Sequence, residues 1–501
     1  MSAPTALDAG ALITGLAWTV RPPQTIDESP GADFSGDEQR SKTRIAELTR
    51  EHNDLCTQAV DPFEIAAGLE AAGLSDRQAR TYYGAASVFE LAEAMYGLVP
   101  RRTSNAVAPI DPWSRPVRRH LLRGLLYALP GLMYALALVM LQSGFDAILL
   151  LGTTIVAAGL GQGLSLLGHV LIGRGQQGAA GAMFRSALVF AGILGFAILL
   201  TGWISGTLTS AVMVAGFQVA YLLAATILIV VEAALLLLTV LAPGVILAVL
   251  ELSGATAIRS EIAFGILALC VAGAVVAAWT RLAATPRETV THLREGFGLA
   301  RYEYSMGSGY FAYGIATAGL VAFGVVDALT RHGNPAEGPI ALMMLPLVGS
   351  LGVAEWQVYR LRSRALMALR ETTSVKRFRV LARSELAYAV LNYGAVLAVL
   401  SATVIVAFPQ QPPLPFILST CAYGVLGLAF FCATLLLSLG RYRLALGLSI
   451  TALIVDSALR WAFASASPEA LAGLHLMVFL VLLAVILPAA ASQFSYAGAH
   501  R

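Results

Sequence analysis

Apolar segments of roughly 20 residues recur from residue 121 to the C-terminus, and each is long enough to cross a hydrocarbon core of about 30 Å. Little else constrains the chain so strongly. In lipid every backbone N–H and C=O must find a partner within the protein, which leaves helices or a closed barrel. A barrel needs alternating segments of about 10 residues, and the sequence has none. With 57% hydrophobic and 13% charged residues, against about 25% charged in soluble domains, the reading is an all-α polytopic membrane protein.

The spans are read at 121–142, 147–172, 183–204, 209–231, 233–253, 260–282, 306–328, 339–361, 386–408, 415–438, 443–464 and 470–492. The run 209–253 is counted as two, because one helix of that length would reach about 65 Å, twice the hydrocarbon thickness. A tight turn is therefore expected near Glu232.

Orientation follows from residues 360–383, which hold Arg360, Arg362, Arg364, Arg370, Lys376, Arg377, Arg379 and Arg383 against one acid, Glu371. Basic connections between spans stay in the cytoplasm. Counting outward from there, the remaining inside connections hold Arg174 and Arg185, then Glu232, then Arg281, Arg287, Arg294 and Arg301, then Arg441 and Arg443. The only basic residues in the outside connections are Arg259 and Arg331. Twelve spans with both termini cytoplasmic is the consistent count. The first 20 residues lack a basic stretch, and ALITGLAW is too short for a secretory signal, so the first span is expected to direct insertion.

Residues 1–40, rich in Pro, Gly, Asp and Ser, read as a disordered tail. Residues 41–100 read as a small cytosolic helical domain. Asp61 is its first clear N-cap, with Pro62 at the first helical position. Gly73 is a stop, Ser75 and Asp76 a start, Gly84 a stop, and Ser87 a third start. This domain either packs on the membrane domain or on itself, or docks a cytosolic partner. Residues 101–118 are a Pro-broken linker, with Trp113, Arg115, Arg118, Arg119 and Arg123 suited to a membrane surface. A first six-helix lobe at 119–282, a cytosolic connection at 283–305 and a second six-helix lobe at 306–495 complete the division. A doubled six-helix bundle is typical of transporters.

The stretch Val156 to Leu200, with GRGQQGAAGAMFRSAL at the loop after the second span, resembles that loop in the multidrug/oligosaccharidyl-lipid/polysaccharide (MOP) exporter superfamily. The resemblance covers roughly 120–495 and implies a two-lobed flippase or exporter using alternating access, with a lipid-linked glycan or polysaccharide as the expected substrate. Residues 121–142 lack the acid that drug exporters of this superfamily keep in the first span.

Ionisable groups within spans are costly and face a cavity or a partner. Asp456 and Arg460, four apart on one helix face, are candidates for a substrate cavity, or else a neutralising pair that fixes packing. Gln162, Gln218, Asn392 and Tyr393 are further cavity candidates, with interhelical hydrogen bonding as the plainer role. Glu355 and Arg185 are candidates for an inner gate, Glu355 alternatively pairing with nearby arginines. His169 reads as packing. The four cysteines, Cys56, Cys270, Cys421 and Cys432, show no CxxC, and neither a disulfide framework nor a metal site is expected.

No P-loop, HExxH or GxSxG is present, so no enzyme and no cofactor is expected, and the basic loop is explained by anionic lipid rather than nucleic acid. Expected partners are membrane lipids, the glycan substrate and a cytosolic protein at residues 41–100. The leading expectation is an inner-membrane flippase. Its rivals are a non-transporting scaffold subunit of an envelope-polysaccharide assembly and a membrane-embedded enzyme acting on lipid.

Overall fold

A computed structural model of the chain describes residues 34–99, 117, 120, 122, 124, 126, 144–252, 259–285, 296–331, 340–407 and 413–500. Two compact units divide it, Met1–Asp111 and Pro112–Arg501.

The first unit is helical: α1 (Phe34–Glu51), α2 (Asn53–Gln58), α3 (Pro62–Ala71), α4 (Asp76–Tyr83) and α5 (Val88–Leu98). Its starts and stops follow side-chain chemistry. Asp61 accepts from the Glu64 N–H at 3.1 Å while the Glu64 carboxylate accepts from Val60 N–H at 2.8 Å. Ser87 and Glu90 repeat that arrangement ahead of α5, two orphan donors being satisfied reciprocally each time. Gly73 and Gly84 take φ of +91° and +70°, which glycine adopts without steric cost. α1 begins at Phe34, inside the stretch expected to be a disordered tail. Leu48, Ile65, Leu69, Leu91 and Met95 form the core.

The second unit holds α6 (Gly144–Gly173), α7 (Gln177–Ile204), α8 (Ser210–Val230), α9 (Ala234–Leu252), α10 (Ser260–Ala283), α11 (Arg301–Arg331), α12 (Ile340–Met343), α13 (Leu345–Gly349), α14 (Leu351–Glu371), α15 (Val375–Val406), α16 (Leu414–Ser438), α17 (Tyr442–Ala462) and α18 (Pro468–Phe494). Eight of these are long and apolar enough to cross a membrane: α6, α7, α8, α10, α15, α16, α17 and α18. The chain is a polytopic helical membrane protein. The predicted first span lies outside the described residues except for Leu122, Gly124 and Leu126, all helical. The linker arginines and Trp113 also lie outside them.

The turn expected near Glu232 is present. α8 ends at Val230, Glu232 takes φ of +57°, and α9 starts at Ala234. The eighth predicted span is not one helix. Ser350, fully buried, joins α13 to α14 and shares a 2.8 Å hydrogen bond with the Tyr393 hydroxyl.

Buried apolar residues of this unit separate into two large cores. One draws on residues from Leu126 to Leu299 and the other on residues from Tyr313 to Phe494.

Candidate functional site

The two halves meet at helix crossings built from small residues. On α6 and α11, Gly159 and Gly314 lie back to back. A Cβ on Gly314 would sit 2.7 Å from the Ala158 carbonyl oxygen and 2.9 Å from Gly159 Cα. One on Gly163 would sit 3.1 Å from the Gly307 carbonyl oxygen. In the second crossing, Gly124 of the first helical segment faces Gly352 of α14. There a Cβ on Gly352 would come within 2.9 Å of Gly124 Cα and 3.0 Å of the His120 carbonyl oxygen. In the division read from the sequence, exchange of the halves would relate the two crossings. Lipid offers no hydrophobic drive for helix association, and close backbone approach over glycines supplies the van der Waals contact instead.

Each crossing ends in a polar pair on the side of the basic connections. Arg174, just beyond α6, forks onto Glu303 at the start of α11, with Nη1 donating to Oε2 at 3.2 Å and Nη2 to Oε1. Glu303 is only 2% exposed and also accepts from the Ala300 N–H at 2.8 Å. Burial pushes its carboxyl pKa up. The Ala300 N–H, the Arg174 guanidinium and the Tyr302 hydroxyl together outweigh that and hold it below the ordinary glutamate value. At the other crossing, fully buried His120 places Nδ1 3.2 Å from Glu355 Oε1 and stacks on Tyr359 at 4.6 Å.

Glu355 thus lies at the junction of the halves. Arg185 does not. It donates to the Leu282 carbonyl at 2.7 Å and to Thr285 Oγ1 at 3.1 Å, closing the C-terminus of α10 within the first half, as basic side chains do at helix ends. The arginine at the junction is Arg174. Sequence reasoning missed Glu303, which stands in a charged connection and reads there as solvated.

A second polar centre lies inside the second half. Asp456 on α17, 2% exposed, accepts from Arg460 Nε at 3.0 Å and lies 3.0 Å from Nδ1 of His475 on α18. Arg460 Nη2 lies 2.9 Å from the same Nδ1. A guanidinium only donates. Nδ1 therefore serves Asp456 when it carries a proton and Arg460 when it does not. The ring packs on Phe479 at 4.1 Å and meets Tyr423 edge-on at 6.1 Å. Tyr423 in turn donates to the Val321 carbonyl of α11 at 2.9 Å. His475 was absent from the sequence candidates, being a lone histidine 15 residues beyond Arg460 with no local pattern.

The other candidates disperse. Gln218 is buried in the first half and clamps α8 to α6 through the Leu150 carbonyl at 3.2 Å and Thr154 Oγ1. Tyr393 is buried in the second core against Phe431 at 5.2 Å. Asn392 is half-buried on α15, one turn beyond Tyr388, whose ring Arg360 covers at 5.1 Å. Gln162 is exposed on α6, between Gly161 and Gly163. His169 turns back on its own helix, to the Ser165 carbonyl at 2.7 Å. A cavity of about 510 Å³ opens near Ser305, Arg441, Tyr442, Arg443 and Gln493, at the end of the unit that carries the basic connections.

No family model matches the chain, and no curated protein sequence does. Two solved structures do. One is described as the outward-facing conformation of a multidrug resistance MATE family transporter of the MOP superfamily. It is 15% identical, covers 76% of this chain and 98% of its own, and has a TM-score of 0.40. The other is a MOP superfamily transporter from Pyrococcus furiosus, described through the reverse polarity of its binding pocket. It is 16% identical, covers 77% of this chain and 99% of its own, and has a TM-score of 0.39.

Proposed function

We propose that the chain is an inner-membrane exporter or flippase of twelve spans, with six in each lobe and both termini cytoplasmic, working by alternating access. The observation that carries this reading is the paired closure between the halves. Two crossings related by exchange of the halves, each glycine-lined and each ending in a polar pair, form a junction that can part and reform between two discrete arrangements. The proposed closure is on the cytoplasmic side, with Arg174–Glu303 and His120–Glu355 as the inner gate.

The proposed substrate is a lipid-linked glycan. Arg441 and Arg443 beside the basic-end cavity suit the phosphate of such a lipid, which guanidinium groups recognise well. Asp456, Arg460 and His475 are the proposed polar centre that senses substrate or ion within the second lobe, and Gln162 the proposed polar contact on the first.

The test is translocation in proteoliposomes of a fluorescent lipid-linked oligosaccharide, in a variant carrying Arg174→Cys and Glu303→Cys. Oxidation should stop translocation by locking the junction, and reduction should restore it. Absence of translocation by the native chain, or flux indifferent to the lock, would remove the alternating-access reading.

A further inference from the structure

The first unit contains an internal repeat. Asp61-Pro62-Phe63-Glu64-Ile65-Ala66 and Ser87-Val88-Phe89-Glu90-Leu91-Ala92 place an N-cap, an exposed phenylalanine, a capping glutamate and two buried apolar residues at equivalent positions. The repeat explains how α3 and α5 pair, with Ile65, Leu69, Leu91 and Met95 turned into one core. The phenylalanines point the other way. Phe63 is 68% exposed and Phe89 50% exposed, and their rings meet edge to face at 5.9 Å. Val60, 78% exposed, stands at the same end, its carbonyl held by the Tyr96 hydroxyl at 2.7 Å.

Charge on the two segments that carry this pair has one sign. Residues 59–74 and 84–99 contain Asp61, Glu64, Glu70, Glu90 and Glu93 and no lysine or arginine. Glu70 is seven residues beyond Phe63, and Glu93 four beyond Phe89, so each acid shares a helix face with its phenylalanine. Both are exposed. An apolar centre with an acidic rim is the complement of a cationic apolar segment. It is a poor match to an anionic bilayer, which would repel it, and to a second copy of itself, which would set acid against acid.

We propose that the Phe63–Phe89 face docks a basic, apolar segment of a soluble partner protein, the two rings taking an aliphatic or aromatic anchor and Glu70 and Glu93 pairing with flanking lysines or arginines. This is independent of whether the second unit transports.

The experiment places a photo-crosslinking phenylalanine analogue at position 63 or 89 of the full chain in its own cells, and sequences the linked peptide. The expected adduct is a segment of a soluble protein with net positive charge. Glu70→Lys combined with Glu93→Lys should lower its yield at least tenfold, and raised salt should lower the yield of the native face. Neither glutamate caps a helix, and a lysine at 70 falls in the last turn of α3, where the dipole favours it, so the fold is kept. Adducts on lipid, on a second copy or on a neutral or acidic segment would overturn the proposal. So would no adduct at all, or a yield unmoved by charge reversal.

Discussion

Adding one methyl group at a crossing should part the halves. Gly314→Ala puts a Cβ 2.7 Å from the Ala158 carbonyl oxygen and 2.9 Å from Gly159 Cα. Restoring an ordinary contact near 3.4 Å requires α6 and α11 to separate by about 0.7 Å. The opposing atoms are backbone, so no side chain can swing aside. Overpacking of this kind costs about 1–3 kcal/mol, and the cost applies only while the halves touch there. The equilibrium between joined and parted junctions should therefore shift by a factor of about 5–150. Gly352→Ala presses on Gly124 Cα at 2.9 Å and should act in the same direction more weakly. Alanine is the better helix former by about 1 kcal/mol, but both states contain the helix, so that gain cancels in the exchange. A melting temperature would mix the two effects, and the assay must read distance. Spin labels at Gln177 and Val375, one at the start of α7 and one at the start of α15, report the basic end of each half. Both alanine variants should add a longer-distance population, and the double variant should enlarge it. Gly447→Ala on α17, where a Cβ meets nothing within 4 Å, should change nothing. Unchanged distributions in all three glycine-crossing variants would show the junction to be fixed packing, and would refute the reasoning.

Three further outcomes follow from the same structure. Asp456→Asn leaves Arg460 partly buried without its carboxylate, and thermal unfolding in detergent should show a loss of about 3–5 kcal/mol, larger than for Arg460→Gln, which frees Asp456 to keep His475. Glu232→Gly removes a left-handed conformation that costs a non-glycine residue about 1–2 kcal/mol, so the variant should melt higher, by the part of that cost not offset by extra unfolded-chain freedom. The Glu303 carboxyl is held below its ordinary value of 4.5, so its pairing stabilises the folded chain fully above that pH and loses effect as pH falls through the lowered value. The stability difference between the native chain and Glu303→Gln should be constant above pH 4.5 and shrink below it, and a constant difference down to pH 3 would contradict the pairing.

Much of the architecture could be read from residue order because lipid leaves few choices. The turn at Glu232 followed from length alone, since an apolar run of that length cannot be one helix in a bilayer. The starts at Asp61, Ser75 and Ser87 followed from capping chemistry, which acts within four residues. Contacts across the bundle did not follow. Asp456 and Arg460 were legible as a pair because one helix face holds them, whereas His475 joins them from another helix. Arg185 and Arg174 look equivalent in sequence, and only the packing decides that one closes α10 while the other crosses to Glu303. Tyr393 is polar and deep, as a cavity residue would be, but its hydroxyl is taken by Ser350 at the break between α13 and α14. The repeat in the first unit stands at an offset of 26 residues, and its two copies share position and type more than identity.

The two polar arrangements of the second unit differ in what motion would do to them. Arg174–Glu303 and His120–Glu355 join different halves, so separation must break them, and their place at the basic end lets water take over the charges as they part. Asp456, Arg460 and His475 belong to one half, and separation leaves them whole. Their link to the junction is Tyr423, which touches His475 with its ring edge and holds the Val321 carbonyl on α11, the helix that carries Gly314 and Glu303. A change of hydrogen-bond partner at Nδ1, from Asp456 to Arg460, alters the charge balance beneath that ring without a large displacement. If the polar centre biases the junction, Tyr423→Phe should uncouple the two. It removes the bond to Val321 and keeps the ring contact with His475. The label distances at Gln177 and Val375 should then stop responding to His475→Gln, while still responding to Gly314→Ala. A response to His475→Gln that survives the loss of the Tyr423 hydroxyl would mean that the centre acts through packing alone.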